Sequence, residues 1–277
     1  ELLFAAGPAF YPILRELAVE YPDVVFFCFG TREANSADNL FSITCDLYEG
    51  FYLAGLAAAE ESRSGRIAYV ADAGTPRADV LLCANAFALG AKALDPNVSV
   101  AFSTADENRS ALAEVRLLAA NGYDFFAGNF SEEVCRQTGE RAILLAPPGG
   151  AEEGAFGTVT VDLSETVASV LEAAADEVPQ TDRFVGIKED VISLNLSESA
   201  SEETRTKVAA VYDALVNDRF AVFSGFRPGF DENFEMTLEP AAILSPGGSE
   251  LVPSGEQIRN PASLFVVSTV AGLTERG

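Results

Sequence analysis

The sequence predicts an α/β protein built as two doubly wound parallel-sheet lobes. Three observations carry this expectation. Short runs such as DVVFFCF (residues 23–29) and RIAYVA (66–71) have the unbroken hydrophobicity of strands buried on both faces. They alternate with segments whose apolar residues recur at helical spacing. The number of strand–helix units also exceeds what one sheet usually holds, so two sheets with several chain crossings fit better.

Taken in order, residues 2–6 read as a strand and Gly7-Pro8 as its turn. Phe10, Ile13, Leu14 and Leu17 then mark one face of a helix. Strands follow at 23–29 and 40–44. Residues 46–60, DLYEGFYLAGLAAAE, are apolar on nearly every face when wound as a helix, and such a helix is buried. Asp46 and Glu49 at its start suit the positive end of the helix dipole. Gly50 and Gly55 each cost about 1 kcal/mol relative to Ala in a helix, so a pair of them points to close packing. Strand 66–71 leads to a helix over 77–94 with Val80, Leu81, Ala84, Phe87, Ala88 and Ala91 inward, stopped by Asp95-Pro96-Asn97.

Strand 98–103, helix 107–120, strand 124–127, a short helix through Cys135 and strand 141–146 come next. Residues 147–157 are rich in Gly and Pro and read as a flexible stretch. Strand 158–161 precedes a helix over 164–177 with Val167, Val170, Leu171 and Ala174 on one face. Residues 184–188 and 191–194 read as a strand pair, and Ser199-x-x-Glu202 as a capping box. The helix it opens carries Val208, Val211, Tyr212 and Leu215; residues 220–223 form a short strand, and turns dominate the remainder. The expected division is 1–63 as part of an N-terminal lobe, 64–164 as a C-terminal lobe, and 165–277 crossing back with a C-terminal extension.

Composition narrows the function. With 18 basic and 42 acidic residues the formal charge is −24, a surface that repels nucleic acid and anionic lipid. There is no histidine, which excludes Ser-His-Asp and Cys-His catalysis and histidine metal sites. The four cysteines form no C-x-x-C pair and sit in apolar or helical contexts, so free buried thiols are the expectation and no metal or other cofactor is implied. No apolar run reaches the roughly 18 residues that span a bilayer. The chain opens on a strand and not on a leader, so Glu1 reads as a cut edge.

In doubly wound folds ligands bind beyond the carboxyl ends of the strands. The loops to watch are therefore 7–8, 30–35, 72–76, 128–131 and 162–165. Several stretches also resemble one family. YPDVVF (21–26), YEGFYLAGLAA (48–58), GRIAYVAD (65–72), FALGAKALDPNVSV (87–100), NGYDFFAG (121–128), VFSG (222–225) and LVPSGEQI (251–258) resemble, in order and spacing, the basic membrane protein (BMP) family of solute-binding lipoproteins, the purine-nucleoside-receptor type. The resemblance implies a type I periplasmic-binding-protein-like fold that closes by a hinge on a small ligand, often a nucleoside, and delivers it to an ABC importer. It also implies an extracytoplasmic place, anchored through a lipoprotein N-terminus absent here. The chain departs from the family pattern at the missing first strand–helix unit, at Gly30 in place of an acidic residue, and at Pro147-Pro148-Gly149 and Asp162.

The candidate ligand-binding residues are Gly7, Phe10, Glu49, Asp72, Asn129, Phe130, Ser131 and Asp162. Each has a plainer role. Phe130 stacks on a planar ligand or packs within a lobe. Asn129 and Ser131 bind ligand or cap the next helix. Asp72 and Asp162 hold ligand hydroxyls or make turns. Glu49 anchors the hinge or complements the helix dipole, and Phe10 lines the cleft or staples its helix to the sheet. The chain accordingly reads as a non-enzymatic solute-binding protein for a small polar, nucleoside-like ligand, with an ABC permease as partner and no nucleic acid. The alternatives are a cytoplasmic ligand-sensing domain of a regulator and a degenerate domain used for protein contacts. No motif singles out a catalytic carboxylate pair.

Overall fold

The computed structural model describes residues 1–31, 37–73, 77–106, 109–130, 132–138, 141–147, 154–176, 180–256, 265 and 269–275. Ser131, Pro148 and Gly149, singled out above, lie outside the described residues. The chain is α/β, and it forms two compact units. One comprises Glu1–Asp46 with Asp162–Ile192, the other Leu47–Val161 with Ser193–Gly277. The sequence reading ended its first lobe at residue 63; by contacts, the helix over 48–61 lies in the second unit, as does all of 193–277.

The first unit holds a four-stranded sheet of order β1 (Leu2–Ala5), β2 (Val25–Phe29), β3 (Leu40–Cys45) and β9 (Arg183–Val185), with every pairing parallel. Alternation divides its faces. Ala5, Phe26, Cys28 and Leu40 face α1 (Tyr11–Glu20), which buries Tyr11, Leu14 and Ala18 against them. Phe4, Phe27 and Phe41 form a row on the opposite face, with ring centroids 5.4 and 5.6 Å apart. The helical face expected from Phe10, Ile13, Leu14 and Leu17 is therefore rotated. Pro8–Phe10 winds as a 3-10 turn before α1 begins, leaving Ile13 56% exposed. Asn39 ties the far end of α1 to the sheet, its amide donating to the carbonyls of Ala18 (3.0 Å), Tyr21 (3.1 Å) and Val24 (2.8 Å).

The second unit holds a seven-stranded sheet. Its order is β10 (Ile192–Leu196), β8 (Gly157–Val161), β7 (Ala142–Ala146), β6 (Phe125–Asn129), β4 (Arg66–Ala71), β5 (Ser99–Thr104) and β15 (Leu273–Glu275). Ala68 and Val70 of β4 and Phe126 of β6 face α4 (Ala111–Ala120) and α5 (Glu132–Thr138), which contribute Val115, Leu118, Val134 and Cys135. On the other face Tyr69 meets Phe51 of α2 (Tyr48–Glu61) edge-on at 5.1 Å and Phe87 of α3 (Arg77–Leu94) at 6.2 Å. Helices thus cover both faces, as the unbroken apolar strands required.

Helix α2 is buried from Gly50 through Ala58, as expected of a helix without a polar face. Its glycine works as a contact surface. A Cβ on Gly55 would lie 2.1 Å from the Phe87 carbonyl oxygen, and one on Gly90 of α3 would lie 2.0 Å from that of Tyr52. Each helix therefore presents a bare backbone to the other's.

Four local expectations are corrected. Residues 184–188 and 191–194 do not pair: β9 joins β3 and β10 joins the second sheet, because the turn closed by the Gly186 N–H on Glu189 (2.8 Å), with Asp190 at φ 57°, parts them. The cap of α7 (Glu202–Val216) is Ser201, whose hydroxyl accepts the Thr204 N–H at 3.1 Å, and not Ser199. Residues 220–223 are no strand; Phe220 and Phe223 are plugs against Tyr52 (5.4 Å) and Tyr48 (5.0 Å). On α6 (Ser164–Ala175) the buried residues are Thr166 and Val170, while Leu171 is exposed. The turn-rich C-terminal part contains two hairpins, β11 (Phe226–Phe230) with β12 (Met236–Pro240) and β13 (Ile243–Leu244) with β14 (Glu250–Val252). It also supplies β15, which pairs with β5, and ahead of it the buried amide of Asn85 of α3 binds the Phe265 carbonyl and the Val270 N–H.

Candidate functional site

In the second unit the carboxyl ends of β6, β4 and β5 stand side by side. The Asp72 N–H donates to the Asn129 carbonyl at 2.8 Å, and the Ala105 N–H to the Ala71 carbonyl at 2.8 Å. The ladder therefore sets Asn129, Asp72 and the loop after Thr104 in one row. Asp72 is exposed, with its carboxylate oxygen 3.1 Å from the Ala73 N–H, and Asn129 is half-buried. Gly128 just before it has φ 152°, and a Cβ there would fall 1.8 Å from the Val70 carbonyl oxygen, so only glycine lets β6 pass β4 this closely.

Phe130 takes the plainer of its two roles. It is 4% exposed and belongs to the cluster of Val70, Val134, Cys135 and Leu144 inside its own unit. The ring that looked out of place in a polar loop closes the core between β6 and α5, and it presents no free face for stacking. Glu49 lies in the first turn of α2, as its helix-dipole role requires.

One group at this sheet edge escaped the sequence reading. Ser103 Oγ donates to Glu114 Oε2 at 2.7 Å, and Arg109 Nε lies 3.0 Å from Glu114 Oε1. Glu114 is nearly buried, whereas the Arg109 side chain is 40% exposed. The Asp106 carboxylate accepts the Arg109 N–H at 2.9 Å and shapes the loop. The loop after β5, next to Asp72 in the ladder, thus carries an anchored guanidinium. The signal was present in the polar run ADENRS after a strand, but α4 begins four residues later than its pattern suggested, which moves Arg109 from helix into loop.

In the first unit Gly7 and Phe10 follow β1. Gly7 has φ 131°, its carbonyl is 3.4 Å from Cys28 Sγ, and a Cβ there would touch nothing within 4 Å. Phe10 is 49% exposed and does not staple α1 to the sheet. Thr31 after β2 is buried, and its carbonyl accepts the Thr44 hydroxyl at 2.6 Å. Asp162 is exposed and engaged locally. Its N–H donates to the Val191 carbonyl and its Oδ1 accepts the Ser164 N–H at 2.9 Å, which opens α6; the Ser164 hydroxyl first, and then this N–H, hold the carboxyl below its usual range.

Among the described residues, three cavities are each lined within a single unit, and the candidate residues line none of these three. About 800 Å³ opens near the amino ends of β1 and β2 beside Leu2, Val25 and Phe41. About 370 Å³ lies below β6 and β7 beside Tyr123, Arg116 and Arg141. About 230 Å³ lies between the end of α3 and the C-terminal hairpins. Among the described residues no His, Cys, Asp or Glu group of three or more could hold a metal ion. No described helix is long and apolar enough to cross a membrane.

Comparison with solved structures agrees with this architecture. A transcriptional activator of the comK gene from Bacillus halodurans matches with a TM-score of 0.65 at 17% identity, over 79% of each chain. An ABC transporter solute-binding protein from Conexibacter woesei matches at 0.58 and 19%, over 79% of this chain and 78% of that one. A solute-binding protein of an ABC transporter system from Aeropyrum pernix K1 matches at 0.64 and 12%, over 84% and 78%. No curated protein sequence matches the chain. At these identities the structural matches establish the fold, that of periplasmic-binding-protein-like solute-binding proteins. Residues 1–126 match the Bmp family model, described as ABC transporter substrate-binding protein PnrA-like, so this part of the chain carries the Bmp pattern on a solute-binding-protein fold.

Proposed function

We propose that the chain is a non-enzymatic solute-binding protein or domain that takes a small polar, nucleoside-like ligand in an interlobe cleft and hands it to an ABC-type importer. The observation that carries this is the Bmp match over residues 1–126. The row of Asp72 and Asn129, with Arg109 in the loop after the neighbouring strand, supports it, because an exposed carboxylate, an amide and a fixed guanidinium at strand carboxyl ends suit a ligand rich in hydroxyls and ring nitrogens. Gly7, Phe10, Glu49 and Asp162 remain part of the proposal, with Phe10 as the exposed aromatic available for stacking. We place the protein outside the cytoplasm, membrane-anchored as a lipoprotein. The second reading is a sensing domain of a regulator, since a transcriptional activator shares the fold.

The test is thermal melting against nucleosides, bases, riboflavin and simple sugars, with chromatography to check that no ligand is consumed. A ligand at about 100 times its Kd stabilises by about 2.7 kcal/mol, or roughly 5 °C for a chain of this size. The shift is expected for one class, and it should shrink in Asp72→Ala and Asn129→Ala. Absence of any shift across the panel would refute the nucleoside-like assignment. Phe130→Ala is unsuitable as a binding probe, because it empties a core position.

A further inference from the structure

The 230 Å³ cavity of the second unit has the features of a separate ligand site. Its walls are apolar, with Leu89 and Ala93 of α3, Val222, Phe226, Ile243 and Val270 among them. It lies where α3 ends and β5 has yet to begin, since Lys92, Ala93 and Pro96 line it and the strand starts at Ser99. The Asp72–Asn129 row stands at the other end of the same strands. Part of this wall is built by residues beyond the 1–126 family match.

Its polar groups are few. Tyr52 reaches the cavity from α2, and burial pushes its phenol well above the usual pKa, so it is neutral and able to donate. Arg227 is paired with Glu239, Nη2 to Oε2 at 2.9 Å, and together they bring no net charge. Lys92 is different. Its Nζ donates to the carbonyls of Pro96 and Val98, each at 3.2 Å, and no described carboxylate pairs with it, in a chain whose net charge is −24. Two of three ammonium donors are thereby used, and one remains. The stem is held as well: a Cβ placed on Gly272 would come within 2.4 Å of Lys92 Cε.

We propose that this cavity binds a small apolar carboxylate, with its ring or short chain among the aliphatic walls and its carboxylate on Lys92 Nζ. Size supports the assignment, because an apolar cavity of about 150 Å³ already admits benzene. The charge supports it too: an ammonium at the edge of an apolar space gains most from an anion whose remainder is apolar. A neutral apolar molecule would leave that donor unused.

The experiment is calorimetric titration of the whole chain with benzoate and cyclohexanecarboxylate, using benzyl alcohol as the neutral comparison. Both carboxylates should bind, and tighter than the alcohol. Lys92→Met should weaken the carboxylates by roughly ten- to a hundredfold, the worth of a charge-assisted hydrogen bond, and leave benzyl alcohol within about twofold. Leu244→Trp fills the cavity from its exposed rim, where folding is not at stake, and should abolish binding of all three probes. No binding by the unmodified chain, equal affinity for alcohol and carboxylate, or unchanged binding in either variant would each overturn the assignment.

Discussion

Gly55→Ala and Gly90→Ala set two physical effects against each other, and the structure decides between them. Within a helix, alanine is favoured over glycine by about 1 kcal/mol, so propensity alone predicts that both substitutions stabilise. The added methyl, however, meets backbone: the Phe87 carbonyl at 2.1 Å and the Tyr52 carbonyl at 2.0 Å, where ordinary contact begins near 3.4 Å. The shortfall cannot be relieved by a side-chain rotation. α2 and α3 must separate by about 1 Å, which loosens the packing of both on Tyr69. Overpacking costs about 1–3 kcal/mol where neighbours can yield, and rigid helix backbone belongs at the upper end. Subtracting the propensity gain leaves about 2 kcal/mol lost per substitution. Urea unfolding followed by far-UV circular dichroism reads this directly, and the double variant should lose less than the sum because the first substitution already opens the interface. Either variant as stable as the parent, or more stable, would refute the close-approach argument.

Two further outcomes follow from local chemistry. Asn39→Ala removes a donor from three carbonyls in the first unit and should lower its stability by about 1–3 kcal/mol, read as earlier hydrogen exchange of the β2 and β3 amides. Burial raises the Asp124 carboxyl, but hydrogen bonds from the Ser62 and Ser64 hydroxyls (2.5 and 2.8 Å) and from the Arg63 and Ser64 N–H groups outweigh it, leaving the pKa below 3.8. Its contribution is therefore fully present above the unfolded value and lost as the pH falls through the lower folded one. Asp124→Asn should accordingly be less stable than the parent near neutrality and converge with it in strong acid, checked by urea midpoints across pH.

Much of the fold was legible in local pattern. The burial of α2 followed from its lack of a polar face, and α3 began and ended where its periodicity and Asp95-Pro96 placed it. The strands around RIAYVA were equally plain, because strands buried on both faces carry no polar alternation to mislead. These are properties of residues near one another in the chain.

What the sequence could not settle was which neighbour each element would meet. β9 and β10 are seven residues apart at their nearest ends yet join different sheets, and no pattern within either records its partner. Phe130 has the same local context whether it stacks on a ligand or closes a core; the approach of Val134 and Leu144 decides for the core. Arg109 became a site candidate only when Glu114, five residues on, turned inward to hold its guanidinium in the loop after β5. Lys92 acquired its apolar surroundings from hairpins more than a hundred residues away. Composition, periodicity and capping act through the nearest turns of chain, and they determined the α/β class, the buried helices and the strand content. Sheet order, burial of individual aromatics and the company each charge keeps depend on contacts between distant segments, and only the tertiary structure decided those.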